Sequence, residues 1–213
     1  MTSTNASQTP GTSGSANTLQ SSSTHMPSGI EHVRADLLQL IHDNCIVRGK
    51  VTLSSGIEAD YYLDLRRASL EHRAAPLIGQ VMIDVLCQAG WWDTLEAVGG
   101  LTMGADPIAV ATMMEASRQG KNCDAFVVRK TTKTHGLNRP IEGPDVAGKK
   151  VVALEDTATT GGSVLQAIET LKTAGAEVIG AAVLMDRDTG ARERIAEAGI
   201  PYVAAFSKDD LGL

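Results

Sequence analysis

Long apolar runs are missing from this 213-residue chain, and so is any paired cysteine spacing. No stretch approaches the ~20 apolar residues that a membrane-spanning helix needs. The three cysteines, Cys45, Cys87 and Cys123, lie far apart, which excludes a disulfide framework and a zinc signature. Cys45 and Cys87 fall in helical apolar patterns and read as core residues, which predicts a reducing, cytoplasmic compartment. A surplus of positive charge is missing too. The formal net charge is −6, which argues against a nucleic-acid surface and confines any anion site to a local cluster.

Residues 1–29 lack Lys, Arg, Asp and Glu and are rich in Ser, Thr, Gly, Asn and Gln. Such a segment cannot bury a core and is expected to be a disordered, low-complexity tail. It has neither the charged start nor the apolar middle of a signal peptide. The folded domain is therefore expected over 30–213. Within it, periodicity predicts helices over Ile30–Asn44 and Ala74–Gln88. Two strands around a turn are predicted at Lys50–Gly56 and Asp60–Arg66, with Tyr61 and Tyr62 as packing residues. Trp91 and Trp92 are expected to pack at a loop. From there short apolar strands alternate with helices. Strands are expected at Leu95–Val98, Ala125–Val128, Val151–Leu154, Val178–Leu184 and Tyr202–Phe206. A helix over Pro107–Ser117 has Pro107 near its first position and Asp106 as N-cap. Another starts at Ala191. This alternation predicts an α/β fold with a central parallel sheet and crossover helices. In such sheets ligands sit beyond the carboxyl ends of the strands.

The chain is organised around residues 151–163. Four apolar residues, Val151 to Leu154, read as a buried strand. Glu155 and Asp156 follow at its expected end. Thr157, Ala158, Thr159, Thr160, Gly161, Gly162 and Ser163 then form a small-residue loop that leads into a helix from Val164. A helix N-terminus offers unpaired N–H groups and partial positive charge to a phosphate. The carboxylates would repel that phosphate, and suit hydroxyl groups or a metal. A sugar phosphate satisfies both halves. The stretch reads neither as Gly-x-x-x-x-Gly-Lys-[Ser/Thr] nor as Gly-x-Gly-x-x-Gly.

Three further stretches fall at strand ends. Gly99–Asp106 carries three glycines ahead of a helix. Arg129, Lys130, Lys133 and His135, with Arg139 beyond, concentrate positive charge in a long loop, which implies an anionic partner, most simply a polyphosphate. Arg187, between Asp186 and Asp188, is placed either to clamp a carboxylate or a carbonyl-rich ring, or to pair with a neighbouring Asp.

Glu155 to Ser163 resembles the 5-phosphoribosyl-1-diphosphate (PRPP) motif of type I phosphoribosyltransferases. Together with Arg129-Lys130-x-x-Lys133-x-His135-Gly136, Asp186-Arg187, Leu53 to Gly56 and Tyr61 to Asp64, it is similar to the orotate-using branch of that family, across residues 30–213. The resemblance implies a central parallel sheet with a small N-terminal hood, from about 30–70 plus a C-terminal segment. It implies transfer of the phosphoribosyl group from PRPP to orotate with inversion at C1, in the synthesis of UMP, with Mg2+ bound mainly through PRPP. Carried over by position, Thr159, Thr160, Gly161, Gly162 and Ser163 hold the 5-phosphate, and Thr157 and Ala158 belong to the same substrate-binding stretch. Glu155 and Asp156 take the ribose hydroxyls, and Arg129, Lys130, Lys133 and His135 take the pyrophosphate. Arg187 grips orotate. Lys133, His135 and Asp156 are the implied catalytic residues. The family's basic loop closes over the neighbouring subunit's site, which implies a homodimer with the 130–140 loop shared; neither nucleic acid nor membrane is implied. Many members carry a lysine where this chain has Ser54 and another where it has Gly104, so no lysine contact is expected at either place. A purine-using relative and a PRPP-sensing regulator are the competing readings. The 50–65 hairpin with Arg187 argues against the first, and the acidic balance against the second.

Overall fold

A computed structural model describes residues 29–52, 58–130 and 139–213. The expected tail, the stretch 53–57 with Ser54, and the segment 131–138 with Lys133 and His135 lie outside the described residues.

Helix α1 (Ile30–Cys45) buries Leu37, Ile41 and Cys45, spaced four apart on one face. It runs directly into β1 (Ile46–Thr52), which pairs antiparallel with β2 (Glu58–Leu63), Ile46 opposite Leu63. Both strands start earlier than the sequence suggests, and Arg66 opens a short helix, α2 (Arg66–Ser69), instead of closing a strand. Helix α3 (Ala74–Gln88) spans the predicted residues.

The main sheet follows, from β3 (Ala97–Leu101), α4 (Ala105–Arg118), β4 (Asp124–Val128), β5 (Ile141–Glu142), β6 (Lys150–Ala158), α5 (Gly162–Thr173), β7 (Glu177–Asp186), α6 (Ala191–Glu197) and β8 (Tyr202–Ser207). Its strand order is β5-β4-β3-β6-β7-β8. All neighbours are parallel except the two-residue edge strand β5, so the sheet is mixed rather than wholly parallel. Its short sequence, inside a polar stretch, carries no alternation to betray it.

Alternation along the strands builds two layers. Val98, Val152, Leu154, Ala182 and Leu184 face α1, α3 and α4. Ala97, Val151, Ala153, Ala181 and Val183 face α5 and α6. The β6–β7 register shifts between Val151 and Val152, where β7 has one residue in excess. Trp91 packs there: a Cβ added to Gly180 would stand 2.4 Å from the Trp91 ring. In the first layer, Arg34 of α1 donates to Asp84 of α3 at 3.2 Å and to the Ala205 carbonyl of β8, and its guanidinium lies 4.9 Å from the Phe206 ring.

The chain leaves β3 toward β4 in one direction, and β6 toward β7 and β8 in the other. The β3/β6 boundary is thus a topological switch point, and the loops after β3, β4, β6 and β7 open on the same edge.

Candidate active site

Strand β6 does not stop at Leu154. It continues to Ala158, because Thr157 and Ala158 pair with Met185 and Asp186 of β7. The acidic pair is therefore held inside a strand, where backbone pairing fixes it, and the turn shrinks to Thr159, Thr160 and Gly161. Helix α5 starts two residues earlier than expected, at Gly162, with Gly161 left-handed (φ 72°) as N-cap. No side chain caps this N-terminus, so its first N–H groups remain available to an anion. Ser163 sits in the first turn and not at the cap.

Glu155 is 6% exposed. The Asp156 N–H donates to Glu155 Oε1 at 3.3 Å, and the Thr157 N–H to Asp156 Oδ1 at 2.7 Å. Burial raises the affinity of both carboxyls for protons. The Asp156 charge pushes Glu155 further in the same direction, and Lys130 opposes it weakly. Neither acid has an ion-pair partner among the described residues. The pair is thus an electron-rich site, Glu155 buried and Asp156 half-buried, that no cation among the described residues contacts directly and that Lys130 and Arg66 offset only from a distance.

Gly104 closes over it. A Cβ at this position would stand 2.5 Å from Asp156 Oδ1 and 2.6 Å from Glu155 Oε1, so a side chain fits only if the two carboxylates move aside. The position expected to lack lysine is one where the backbone itself covers the acids. Asp106 is not the N-cap of α4. The helix starts at Ala105, and Asp106 Oδ2 accepts the Thr102 hydroxyl at 2.7 Å, bracing the loop across its own turn.

Just past β7, Arg187 is 9% exposed, and its guanidinium carbon lies 4.8 Å from the ring of Tyr61 on β2. It forms no ion pair among the described residues; the expected alternative partner, Asp186, is engaged elsewhere. Tyr61 therefore does more than pack, since its face orients the guanidinium.

These loops resemble known proteins as a set. A phosphoribosyl transferase domain matches residues 96–198. Over 182 residues the chain is 56% identical to the orotate phosphoribosyltransferase of Streptomyces coelicolor, covering 85% of this chain and 98% of that protein. The chain belongs to the orotate phosphoribosyltransferases. The Corynebacterium glutamicum (strain R) member is 52% identical over 180 residues, 84% of this chain and 94% of that one. The crystal structure of the Mycobacterium tuberculosis member in complex with PRPP superposes with a TM-score of 0.72 at 46% identity, over 85% of this chain and 99% of that one. The Aeropyrum pernix member, 30% identical, still reaches 0.66.

Family membership makes the chain a glycosyl-transferring enzyme with the type I phosphoribosyltransferase fold. Of the residues singled out from sequence, the structure brings together Glu155, Asp156, the turn 157–163, Arg187 and Lys130 at one edge. Arg129 stands at the same edge, with its Nη1 2.9 Å from Glu142 of β5. Lys130 is exposed where β4 ends. Two site residues escape a reading for motifs. Arg66 donates to Asp64 Oδ1 at 2.8 Å and to the Tyr62 hydroxyl at 3.2 Å, and its charge favours the ionised form of Asp156. Tyr202 donates to Asp186 Oδ2 at 2.8 Å, while the Asp188 N–H takes Oδ1 at 2.9 Å, so the 2% exposed Asp186 pins the turn that carries Arg187. The Asp-x-Arg spacing at 64–66 was a legible signal for the first; nothing local signals the second.

Proposed function

We propose that this strand-edge cluster transfers the 5-phosphoribosyl group of PRPP to orotate, giving orotidine 5′-monophosphate and pyrophosphate, in the synthesis of UMP. The 5-phosphate lies against the uncapped start of α5, from Gly162 and Ser163, and the Thr159–Gly161 turn. The ribose hydroxyls donate to Glu155 and Asp156. Arg187, held by Tyr61, takes the orotate carboxylate or ring carbonyls in a planar fork. Arg129, Lys130, Lys133 and His135 take the pyrophosphate, which gains negative charge as the C1–O bond breaks. The ribose meanwhile gains positive character, which the neighbouring carboxylates favour. No nucleophilic side chain is required.

The observation that carries this reading is the acidic pair itself: buried Glu155 and half-buried Asp156, with no ion-pair partner among the described residues, fixed between an uncapped helix start and the buried Arg187, which forms no ion pair among those residues either. Hard oxygen donors of this kind fit Mg2+, and Glu155 and Asp156 are the residues that would approach it. Such an ion, bound mainly through PRPP, would supply charge neutralisation on the diphosphate. Loss of orotate absorbance on addition of PRPP and Mg2+ tests the assignment, with purine bases as controls. Absence of orotate turnover by folded protein, or turnover of a purine instead, overturns it.

The reading includes a homodimer in which the 130–140 segment of one copy serves its neighbour's site. Met103, Val110 and Met114, 59%, 45% and 64% exposed, form an apolar strip that starts in the loop after β3 and runs along α4, of the kind an interface covers. Light scattering at assay concentration checks it; a monomer with full activity contradicts it. A cytoplasmic setting suits the three free thiols, with Cys45 and Cys123 pushed up to about 11 by burial and so poorly reactive. Among the described residues no helix is long and apolar enough to cross a membrane.

A further inference from the structure

Three successive carbonyls of the phosphate turn are held from outside by one segment. The Ala158 carbonyl accepts from the Arg187 N–H at 2.9 Å, the Thr159 carbonyl from the Thr189 hydroxyl at 2.8 Å, and the Thr160 carbonyl from Arg194 Nη1 at 3.3 Å. All three donors lie in the stretch that follows β7 and enters α6. In a trans peptide unit the C=O and the N–H point to opposite sides. Drawing these carbonyls toward residues 187–194 therefore turns the N–H groups of Thr159, Thr160 and Gly161 away from that segment. A phosphate site requires this polarity. One inward carbonyl would set a lone pair against the anion and remove a donor from it.

Thr189 and Arg194 have no other evident task. Both are solvent-exposed, so neither is there to fill the core. Position 189 needs a hydroxyl and position 194 a long donor. The turn that presents them is itself fixed, through Asp186 and its bonds from Tyr202 and Asp188. The same turn carries Arg187.

We propose that Thr189 and Arg194 are positioning residues for the 5-phosphate, holding the carbonyls of Thr159 and Thr160 outward so that the turn presents donors to the anion. This rests on the function proposed above and deepens it. Because Arg187 belongs to the same segment, the phosphate turn and the arginine assigned to orotate share one rigid support.

The test uses the full chain and ribose 5-phosphate as probe, titrated calorimetrically, so that binding is read without turnover. Thr189→Val keeps the shape and removes the donor; Arg194→Leu removes the guanidinium. Each is expected to weaken ribose 5-phosphate about three- to tenfold, the span expected of one hydrogen bond. KM for PRPP rises in parallel while kcat stays within about twofold, as for lost uniform binding. Arg194→Leu leaves KM for orotate unchanged, and Thr189→Ser restores ribose 5-phosphate affinity. Unchanged affinity in the double variant overturns the inference. So does an equal loss of ribose 5-phosphate and orotate affinity with a lowered melting temperature, which would mark a general structural role, and so does failure of the unaltered protein to bind ribose 5-phosphate. If the unaltered protein binds this probe but does not turn over orotate, the functional reading fails, while the binding data still decide the inference.

Discussion

Replacing Glu155 by glutamine separates what the acidic pair offers a ligand from what it costs the fold. An unfolded glutamate titrates near 4.5, and burial beside Asp156 holds the folded carboxyl well above that value. Between the two values the folded chain retains a proton that the unfolded chain has released. Stability therefore falls as pH rises, by up to about 1.4 kcal/mol per pH unit. Two units, from pH 5 to pH 7, set a ceiling of about 2.7 kcal/mol. Sharing of charge with Asp156 reduces this to about 1–2 kcal/mol. Glutamine resembles the protonated acid. Its oxygen can still accept the Asp156 N–H, which lies 3.3 Å from Oε1, and it carries no charge to desolvate. Glu155→Gln should match the unaltered protein near pH 5 and exceed it by about 1–2 kcal/mol at pH 7.5. For a chain of this size that is a rise of about 3–6 °C in melting temperature. Scanning calorimetry from pH 5 to pH 8 reads the difference. Added PRPP with Mg2+ should raise the melting temperature of the variant less than that of the unaltered protein. Parallel stability curves across this range, or a variant less stable at pH 7.5, would refute the reasoning.

Gly104→Ala sets a methyl group 2.5–2.6 Å from both carboxylates, so kcat/KM for PRPP should fall about tenfold or more with the circular dichroism spectrum unchanged; normal PRPP kinetics would show that the loop yields freely. Arg187→Lys keeps the charge and loses the planar fork, so KM for orotate should rise about tenfold while KM for PRPP moves less than about twofold; a shared rise would remove Arg187 from the base. Lys133→Ala should lower turnover by about 10- to 100-fold and leave the melting temperature within about 2 °C, and a large thermal loss would assign the residue a structural duty instead.

The sequence made the helices legible where packing and periodicity agree. Helix α3 spans the predicted residues because Ile78, Val81, Met82, Val85 and Leu86 all meet the core. It misplaced boundaries where tertiary pairing outweighs local preference. Two carboxylates after Leu154 look like a strand end, yet β7 continues to pair with β6 through Ala158. Pro107 suggests the first helical position, yet it stands at the third, where its missing N–H is equally harmless because the N–H groups of the first turn have no intrahelical acceptor. The phosphate motif was legible because its parts are contiguous. Arg66 showed only in its spacing from Asp64, its role arising at the corner between β2 and α2, and Tyr202 did not show at all, since its role arises from the adjacency of β8 to β7, sixteen residues away in the chain from Asp186. The stitch between residues 158–160 and 187–194 uses backbone carbonyls, which any sequence supplies, so no pattern of side chains announces it.

Strand β7 holds one residue more than its two faces require. Val178 belongs to the second layer, Ile179 to the first, Ala181 to the second and Ala182 to the first. Gly180 stands opposite Val152 without disturbing that alternation, and the ring of Trp91 occupies the space its side chain would take. Excision of Gly180 would leave every neighbouring side chain on its own layer and would leave Trp91 without a seat. Positions 91 and 180 are therefore linked in how this chain can change length. A shorter β7, or any side chain at 180, suits this core only together with a smaller residue at 91.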